Sequence, residues 1–443
     1  MSATRMSNTP RPPRPGLTRR QLLASSTGLA ITTGTRGAVV GCAASVVPAV
    51  AASLPETIPN LRQQLPNPEA AISTGEAWVA FCDSLKPLAR HVTGEESLGN
   101  AQIQAEGIRC LSRLVSLGLD RFLEHGNPRH PDFYDLQTAT RKYLGDNPDQ
   151  TYRGVAVEAS GTYRIRGNAM GAAGVEIGIY AGSFRSDENT AGGGRRLVDS
   201  VDEQSLAIQD DGTFEILVRR GAEDGTDGER GRNELRLEDD ANALLIRTYF
   251  WDRELRQTHA MPTIERLDVV EPQPPVNAAT ILKGFLATTM FVDGSLAWWN
   301  GFQGIKTELN QLIVMPDDGS VQTPSLVRYI NGRVELKSDQ ALVVEFNPGD
   351  APDYWSWVLQ NVWGETPDWR DRPIILNNRD LVPEGDGRIR IVIAHENPGV
   401  SNWMDMAGHP RLLLSLRWRG AEPLPQVSTK TTTLKELRET TPR

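Results

Sequence analysis

Cysteine is scarce in this chain: Cys42, Cys82 and Cys110 are the three in 443 residues. So few thiols exclude a disulfide-built scaffold and a cluster of thiolate ligands. Cys42 falls in the N-terminal leader. Cys82 and Cys110 occupy apolar positions of helix-like segments, as two buried thiols or as one disulfide, and in neither case as a catalytic cysteine. Long hydrophobic runs are missing too. No stretch of about 18 or more uncharged apolar residues occurs, so a permanent transmembrane helix is not expected. Positive charge is also short, with 47 Lys+Arg against 56 Asp+Glu. Residues 1–52 hold six of those arginines and no acid, which leaves 41 against 56, a net charge of −15, for the remainder. A nucleic-acid partner needs a basic face that displaces counterions, and an anionic membrane attracts one, so both are disfavoured.

Several motifs of common chemistries are absent as well. There is no Gly-x-Ser-x-Gly elbow, phosphate loop, dinucleotide fingerprint or His-Glu-x-x-His, so no cofactor is implied by motif. The six histidines, His91, His125, His130, His259, His395 and His409, form no metal-ligand spacing, and no metal set is assigned. A zinc or iron site would have to assemble from separate strands, with His395, Asp405 and His409 as its members.

The N-terminus carries Leu17-Thr18-Arg19-Arg20-Gln21-Leu22-Leu23 ahead of a weakly apolar stretch. This pattern predicts a twin-arginine signal peptide over residues 1–52, with the twin-arginine translocon as export partner. Ala49-Val50-Ala51 offers the small-x-small cleavage pattern and a periplasmic or secreted product. Val39-Val40-Gly41-Cys42 is the lipoprotein alternative. Residues 53–74 read as a linker, 75–145 as a helical region, 146–275 as a first β-rich unit, 276–420 as a helical insert with a second β-rich unit, and 421–443 as a C-terminal tail.

Ile108, Leu111, Val115, Leu119 and Phe122 recur at helical spacing and predict a helix from about 101 to 125. From about 150 the period changes to two, as in Tyr163-Arg164-Ile165-Arg166, Val175 to Tyr180, Thr213 to Val218 and Ala243 to Phe250. No helix separates these strands, so antiparallel sandwich units with accessory helices are expected. Residues 277–312 are again helix-compatible. Ala341 to Phe346, Trp355 to Leu359, Arg388 to Ile393 and Arg411 to Trp418 then make a second strand series. The acidic loop Glu223 to Glu229 reads as a solvated hairpin or, less simply, a calcium loop lacking an ordered ligand spacing.

Gly145-Asp146-Asn147-Pro148-Asp149 with Tyr152, Tyr163 to Asn168, Ile246 to Asp252, and Tyr354-Trp355 ahead of Asn361-Val362-Trp363 occur in an order that resembles a known family. Asn397-Pro398-Gly399, then Asn402-Trp403-x-Asp405-x-Ala407-Gly408-His409, and Arg417-Trp418 complete the pattern. The family is domain of unknown function 1214, a relative of family 1254. The resemblance implies a mainly β body of jelly-roll-like antiparallel sheets with accessory helices, and it implies no reaction. The sequence departs from the family pattern at Glu396, Met404, Met406 and Pro410-Arg411, keeping the carboxylate and the imidazole.

Chemistry-bearing side chains concentrate near these segments. Asp405 and His409, four apart, could share a helical face, although Gly408 and Pro410 favour a tight turn. In either geometry a carboxylate can set an imidazole tautomer for acid/base catalysis, or both can simply hold the loop. Asp146 is the candidate second carboxylate, with Asp149 and Tyr152 as ligand contacts; the alternative is a turn or cap. Arg164 and Arg166 share one strand face and would bind an anion if turned inward, a solvated outer face of a sandwich being the commoner alternative; Arg247 and Arg417 are further candidate ligand contacts. Asn402 and Trp403 complete the ligand-binding set, the other tryptophans being core or rim. The expected function is an acid/base enzyme of hydrolase or lyase type acting on a small polar-ring or carbohydrate-like compound. The rival expectation is a non-catalytic periplasmic module binding a small aromatic, lipid-like or sugar ligand.

Overall fold

The computed structural model describes residues 61, 65–93, 100–182, 195–221, 231–303, 308–316, 327–420 and 422–440. All lie within one compact unit, Val50–Arg443. The leader with its arginine pair, Cys42 and the acidic loop Glu223 to Glu229 lie outside the described residues.

Alternating apolar residues build four sheets that pair into two sandwiches. In the first, β1 (Tyr134–Asp135), β2 (Gln150–Ala156), β8 (Ala241–Tyr249), β4 (Gly174–Ala181) and β5 (Arg196–Asp202) form one sheet in that order. The facing sheet runs β7 (Glu234–Leu237), β6 (Thr213–Arg220), β3 (Tyr163–Asn168) and β9 (Thr263–Arg266). Val175, Ile177 and Ile179 of β4 meet Ile165 of β3 and Ile216 and Val218 of β6 in a dry core. The second sandwich pairs β10 (Ile313–Val314), β11 (Val327–Glu335), β17 (Arg411–Arg419), β13 (Tyr354–Gln360) and β14 (Ile375–Asn377) with β16 (Trp403–Asp405), β15 (Ile389–Ala394), β12 (Gln340–Phe346) and β18 (Val427–Thr433). Its core holds Trp357, Leu414, Leu416 and Trp418 against Leu342, Val344 and Ile391.

Pairing is antiparallel except at two short strands, β7 against β6 and β16 against β15, which add in parallel. The expected antiparallel sandwich units stand, with one parallel strand added at the edge of each of two sheets. Between β15 and β16 the chain crosses back past the strand it has just left, and no hairpin closes the turn.

Helices pack against both sandwiches. Asn67 caps α1 (Pro68–Thr74) by accepting from the amide of Ala70, with proline in the first turn where no donor is needed. This helix lies inside the segment read as a linker, and α2 (Glu76–Leu85) follows it at the start of the expected helical region. Asn100 caps α3 (Ala101–Leu119) in the same way, and α4 (Arg253–Thr258) follows β8. The long α5 (Ala278–Gln303) crosses α3 where Gly118 faces Thr288; a Cβ at Gly118 would lie 2.7 Å from the threonine methyl, so only glycine permits this approach. Cys82 and Cys110 are free thiols.

The segment after 421 is not a tail. Strand β18 pairs along the whole of β12, and Leu434 and Leu437 of α6 (Leu434–Thr440) are buried against Val343 and Val392. Two leucines one turn apart suffice because the sheet supplies the apolar surface, which composition does not reveal.

Candidate functional site

The site arises from strand alternation on the two sheets that turn toward each other. In β8, Leu244 and Ile246 enter the first sandwich core, which sends Leu245, Arg247 and Tyr249 to the opposite face. Register places Tyr152 of β2 and Glu176 of β4 on either side of Arg247, so phenol, guanidinium and carboxylate lie in one cross-strand row. In β17, Leu414, Leu416 and Trp418 fill the second core, while Leu413, Ser415 and Arg417 face out. Here Tyr329 of β11 and Ser356 of β13 flank Arg417. The two rows meet: Arg417 Nη1 donates to the Tyr152 hydroxyl at 3.4 Å.

Between the rows is a cavity of about 160 Å³. Its floor is formed by buried Tyr152, Arg247, Tyr249 and Arg417, and half-buried Arg195, Trp298, Asn331 and Leu413 lie on its outer side. Helix α5 contributes Trp298 and Trp299, and Trp299 is anchored by its indole nitrogen, which donates to the Val362 carbonyl at 2.9 Å. The loop before β2 contributes Tyr143 and Gly145.

The arginines of this cavity differ in their partners. Arg247 donates to Glu176 at 2.9 Å and to the Tyr180 hydroxyl at 2.7 Å. Arg195 lies over the Tyr180 ring, 4.3 Å from its centroid. Arg417 is 7% exposed and meets neutral acceptors, the Tyr152 hydroxyl and the Gly145 carbonyl. Its Nε is buried with no hydrogen-bond partner among the described residues. Burial pushes the Tyr152 phenol up to about 12 and the Tyr249 phenol well above its ordinary value, so both remain proton donors at neutral pH. Among the described lining residues there is no carboxylate, imidazole, ammonium or thiol.

The other residues singled out by sequence are distributed elsewhere. Asp405 and His409 share neither a helical face nor a hydrogen bond. Ala407 and Gly408, at φ 52 and 77, form a left-handed turn that closes with His409 N donating to Met406 O at 2.9 Å. Asp405 caps the Ala407 amide at 2.8 Å and pairs with Arg372 at 2.6 Å. His409 points to helix α3, with Nε2 2.9 Å from Glu106 and 3.1 Å from the Gln102 amide. Burial works against the Glu106 charge, but His409 holds that carboxyl below its ordinary value. His395 faces the Leu336 carbonyl at 3.1 Å. Among the described residues no group of three or more His, Cys, Asp or Glu side chains is placed to hold a metal ion.

Asn402 spends its amide on backbone, donating to Val382 O and Arg390 O and accepting from Val382 N. Trp403 donates to the Ala394 carbonyl at 3.2 Å. Asp146 accepts from the Thr366 amide at 2.7 Å and lies 3.5 Å from buried Lys142, and so fixes the loop whose Gly145 carbonyl receives Arg417. Asp149 is fully buried among Tyr354, Asn377 and Arg253, and burial pushes its carboxyl up to about 6. Arg164 and Arg166 lie on the outer face of β3, paired with Glu265 and Glu215, because Ile165 and Tyr163 take the core side. The cleft expected from the Asp146 turn, the Arg164/Arg166 strand and the Asn402 to His409 loop therefore does not form. Tyr152, Arg247 and Arg417 do converge.

Glu176, Tyr249, Tyr329, Asn331, Ser415 and Trp299 are missing from the sequence-based set. Tyr249 and Ser415 were within reach, two residues from Arg247 and Arg417 on the same strand face. Tyr329 and Asn331 depend on the β11–β17 register, which no local pattern encodes.

His409→Ala is expected to cost about 1–3 kcal/mol, the range for leaving buried polar partners unsatisfied. Ligand binding in the cavity should stay unchanged. Calorimetric unfolding alongside ligand titration checks this, and lost binding in a folded variant would return the site to the Asp405–His409 turn.

No protein-family model matches the chain, and no curated protein matches it. Among solved structures, the crystal structure of an uncharacterized protein from Burkholderia cenocepacia superimposes with a TM-score of 0.73 at 27% identity, covering 83% of this chain and 99% of that one. A protein from Vibrio parahaemolyticus matches at 10% identity with a TM-score of 0.42, covering 72% and 98% respectively. The first of these similarities supports the β-rich, sandwich-like class with accessory helices; neither neighbour's name carries an activity.

Proposed function

We propose that this protein is an exported, non-catalytic module that binds a small organic anion in the cavity between its two sandwiches. The observation that carries the reading is Arg417, a buried guanidinium facing the cavity with only neutral acceptors around it. A buried charge without a counter-charge is costly, and an anionic ligand would offset that cost. Protonated phenols add donors, while the described lining offers no carboxylate or imidazole for general acid/base chemistry.

Titration calorimetry with small carboxylates, sulfonates and phosphates, each beside a neutral counterpart, tests this. Anions should bind and neutral counterparts should not. Arg417→Met should weaken binding by about 10- to 100-fold, as expected for a charge-assisted contact worth about 1.5–3 kcal/mol. Equal binding of neutral counterparts would sink the proposal.

Export rests on the arginine pair Arg19-Arg20 and the small-x-small pattern at Ala49-Val50-Ala51. Lysines at both arginines should retain the protein in the cytoplasm in a fractionation experiment. Unaltered appearance in the periplasm would overturn this route.

A further inference from the structure

Resting on that reading, we infer that the ligand is a monocarboxylate built on a single ring, with its carboxylate on Arg417 and its ring between the phenol and indole walls. Three observations define the class: size, charge and the shape of the donor.

The cavity volume of about 160 Å³ sets the size. Apolar cavities of roughly 150 Å³ accommodate one benzene molecule, so one ring with a small substituent fits and a fused second ring does not. The walls suit such a body. Leu136, Leu245 and Leu413 supply aliphatic surface, and Tyr249, Tyr329 and Trp299 supply flat faces.

Charge sets the valence. Arg247 already has its counter-charge in Glu176 at 2.9 Å. Arg195 lies on the half-buried side over Tyr180. Of the two floor guanidinium groups, Arg417 is the one with no carboxylate within ion-pairing distance among the described residues. A single negative charge is matched there, and a second would be buried near Glu176 without a partner.

The donor's shape favours a carboxylate. The planar guanidinium of Arg417, which lines the cavity, matches the two coplanar oxygens of a carboxylate. A phosphate, larger in charge and tetrahedral, would ask for a second cation on the floor, and Arg247 is already paired with Glu176.

The test is titration calorimetry of the full chain with benzoate, toluene, phthalate, 2-naphthoate and inorganic phosphate, repeated on Arg417→Met and Arg417→Lys variants whose folding is checked by near-ultraviolet circular dichroism. Benzoate should bind at least about tenfold more tightly than each of the other four, and both variants should lose at least about tenfold, because lysine keeps the charge but not the fork. Naphthoate as tight as benzoate overturns the size argument, and phthalate as tight overturns the charge argument. Toluene as tight, or full retention in Arg417→Lys, overturns the role of the fork. If phosphate or a sulfonate binds through Arg417 while benzoate does not, this inference fails and the broader reading stands. If no anion binds at all, the broader reading fails with it.

Discussion

Replacement of Glu176 by alanine is expected to lower the stability of the protein by about 3–5 kcal/mol, the range for breaking a buried ion pair by removing one partner. Glu176 is 1% exposed and accepts from Arg247 at 2.9 Å. Burial raises its carboxyl above the ordinary value, while Arg247 and Arg419 draw it down. Without the carboxylate, Arg247 keeps the Tyr180 hydroxyl but remains a buried cation lacking its counter-charge. Glu176→Gln preserves shape and an acceptor, so its cost should be smaller. Urea unfolding of the two variants measures the difference; a loss under about 1 kcal/mol for the alanine variant would mean that water reaches Arg247 and screens it.

A second large effect is expected from pH. Glu365 is fully buried, with one carboxylate oxygen 2.6 Å from Arg113 and the other without a hydrogen-bond partner among the described residues. Burial pushes it from 4.5 up to about 7, against the pull of Arg113, and Asp149 rises from 3.8 to about 6 for the same first reason. An acid whose pKa is raised by folding is bound to its proton more tightly in the native state. Its contribution is therefore complete below the unfolded value and is lost as pH rises through the folded one. Stability should fall between about pH 4.5 and 7, with Glu365 contributing on the order of 3 kcal/mol. Glu106, held low, acts in the opposite sense and loses its contribution only as pH drops below its ordinary range. Thermal unfolding across this window should show a declining midpoint in the native protein and a flatter one in Glu365→Gln. A midpoint that climbs from pH 5 to 7 in the native protein would falsify the assignment.

Much of the secondary structure was legible because its signals are local. The two-residue period at Tyr163–Arg166, Val175–Tyr180 and Arg411–Trp418 marks strands, and the stripe from Ile108 to Phe122 marks α3 with the turn that follows it. The last strand and helix escaped because the threonine-rich Val427–Thr433 has no strong pattern of its own; it is ordered by pairing with β12. The site was only partly legible. Density of polar groups drew attention to Asn402, Asp405 and His409, yet their hydrogen bonds are used to close a turn, cap amides and dock α3. Dense polar side chains are as necessary for satisfying buried backbone as for holding a ligand. Asp146 and Asp149 illustrate the same point at the start of β2.

Arginine provides the sharpest contrast. Arg164 and Arg166 alternate with apolar residues much as Arg247 and Arg417 do, yet the first pair lies on an outer face and the second pair lines the cavity. The sequence by itself determined where strands and helices run, the acidic balance of the chain and which side chains share a strand face. Only the tertiary structure decided which of those faces a second sandwich covers. Alternation distinguishes two sides of a strand but does not say what lies beyond either, and that depends on registers such as Tyr152 with Arg247 and Tyr329 with Arg417, set between segments far apart in the chain.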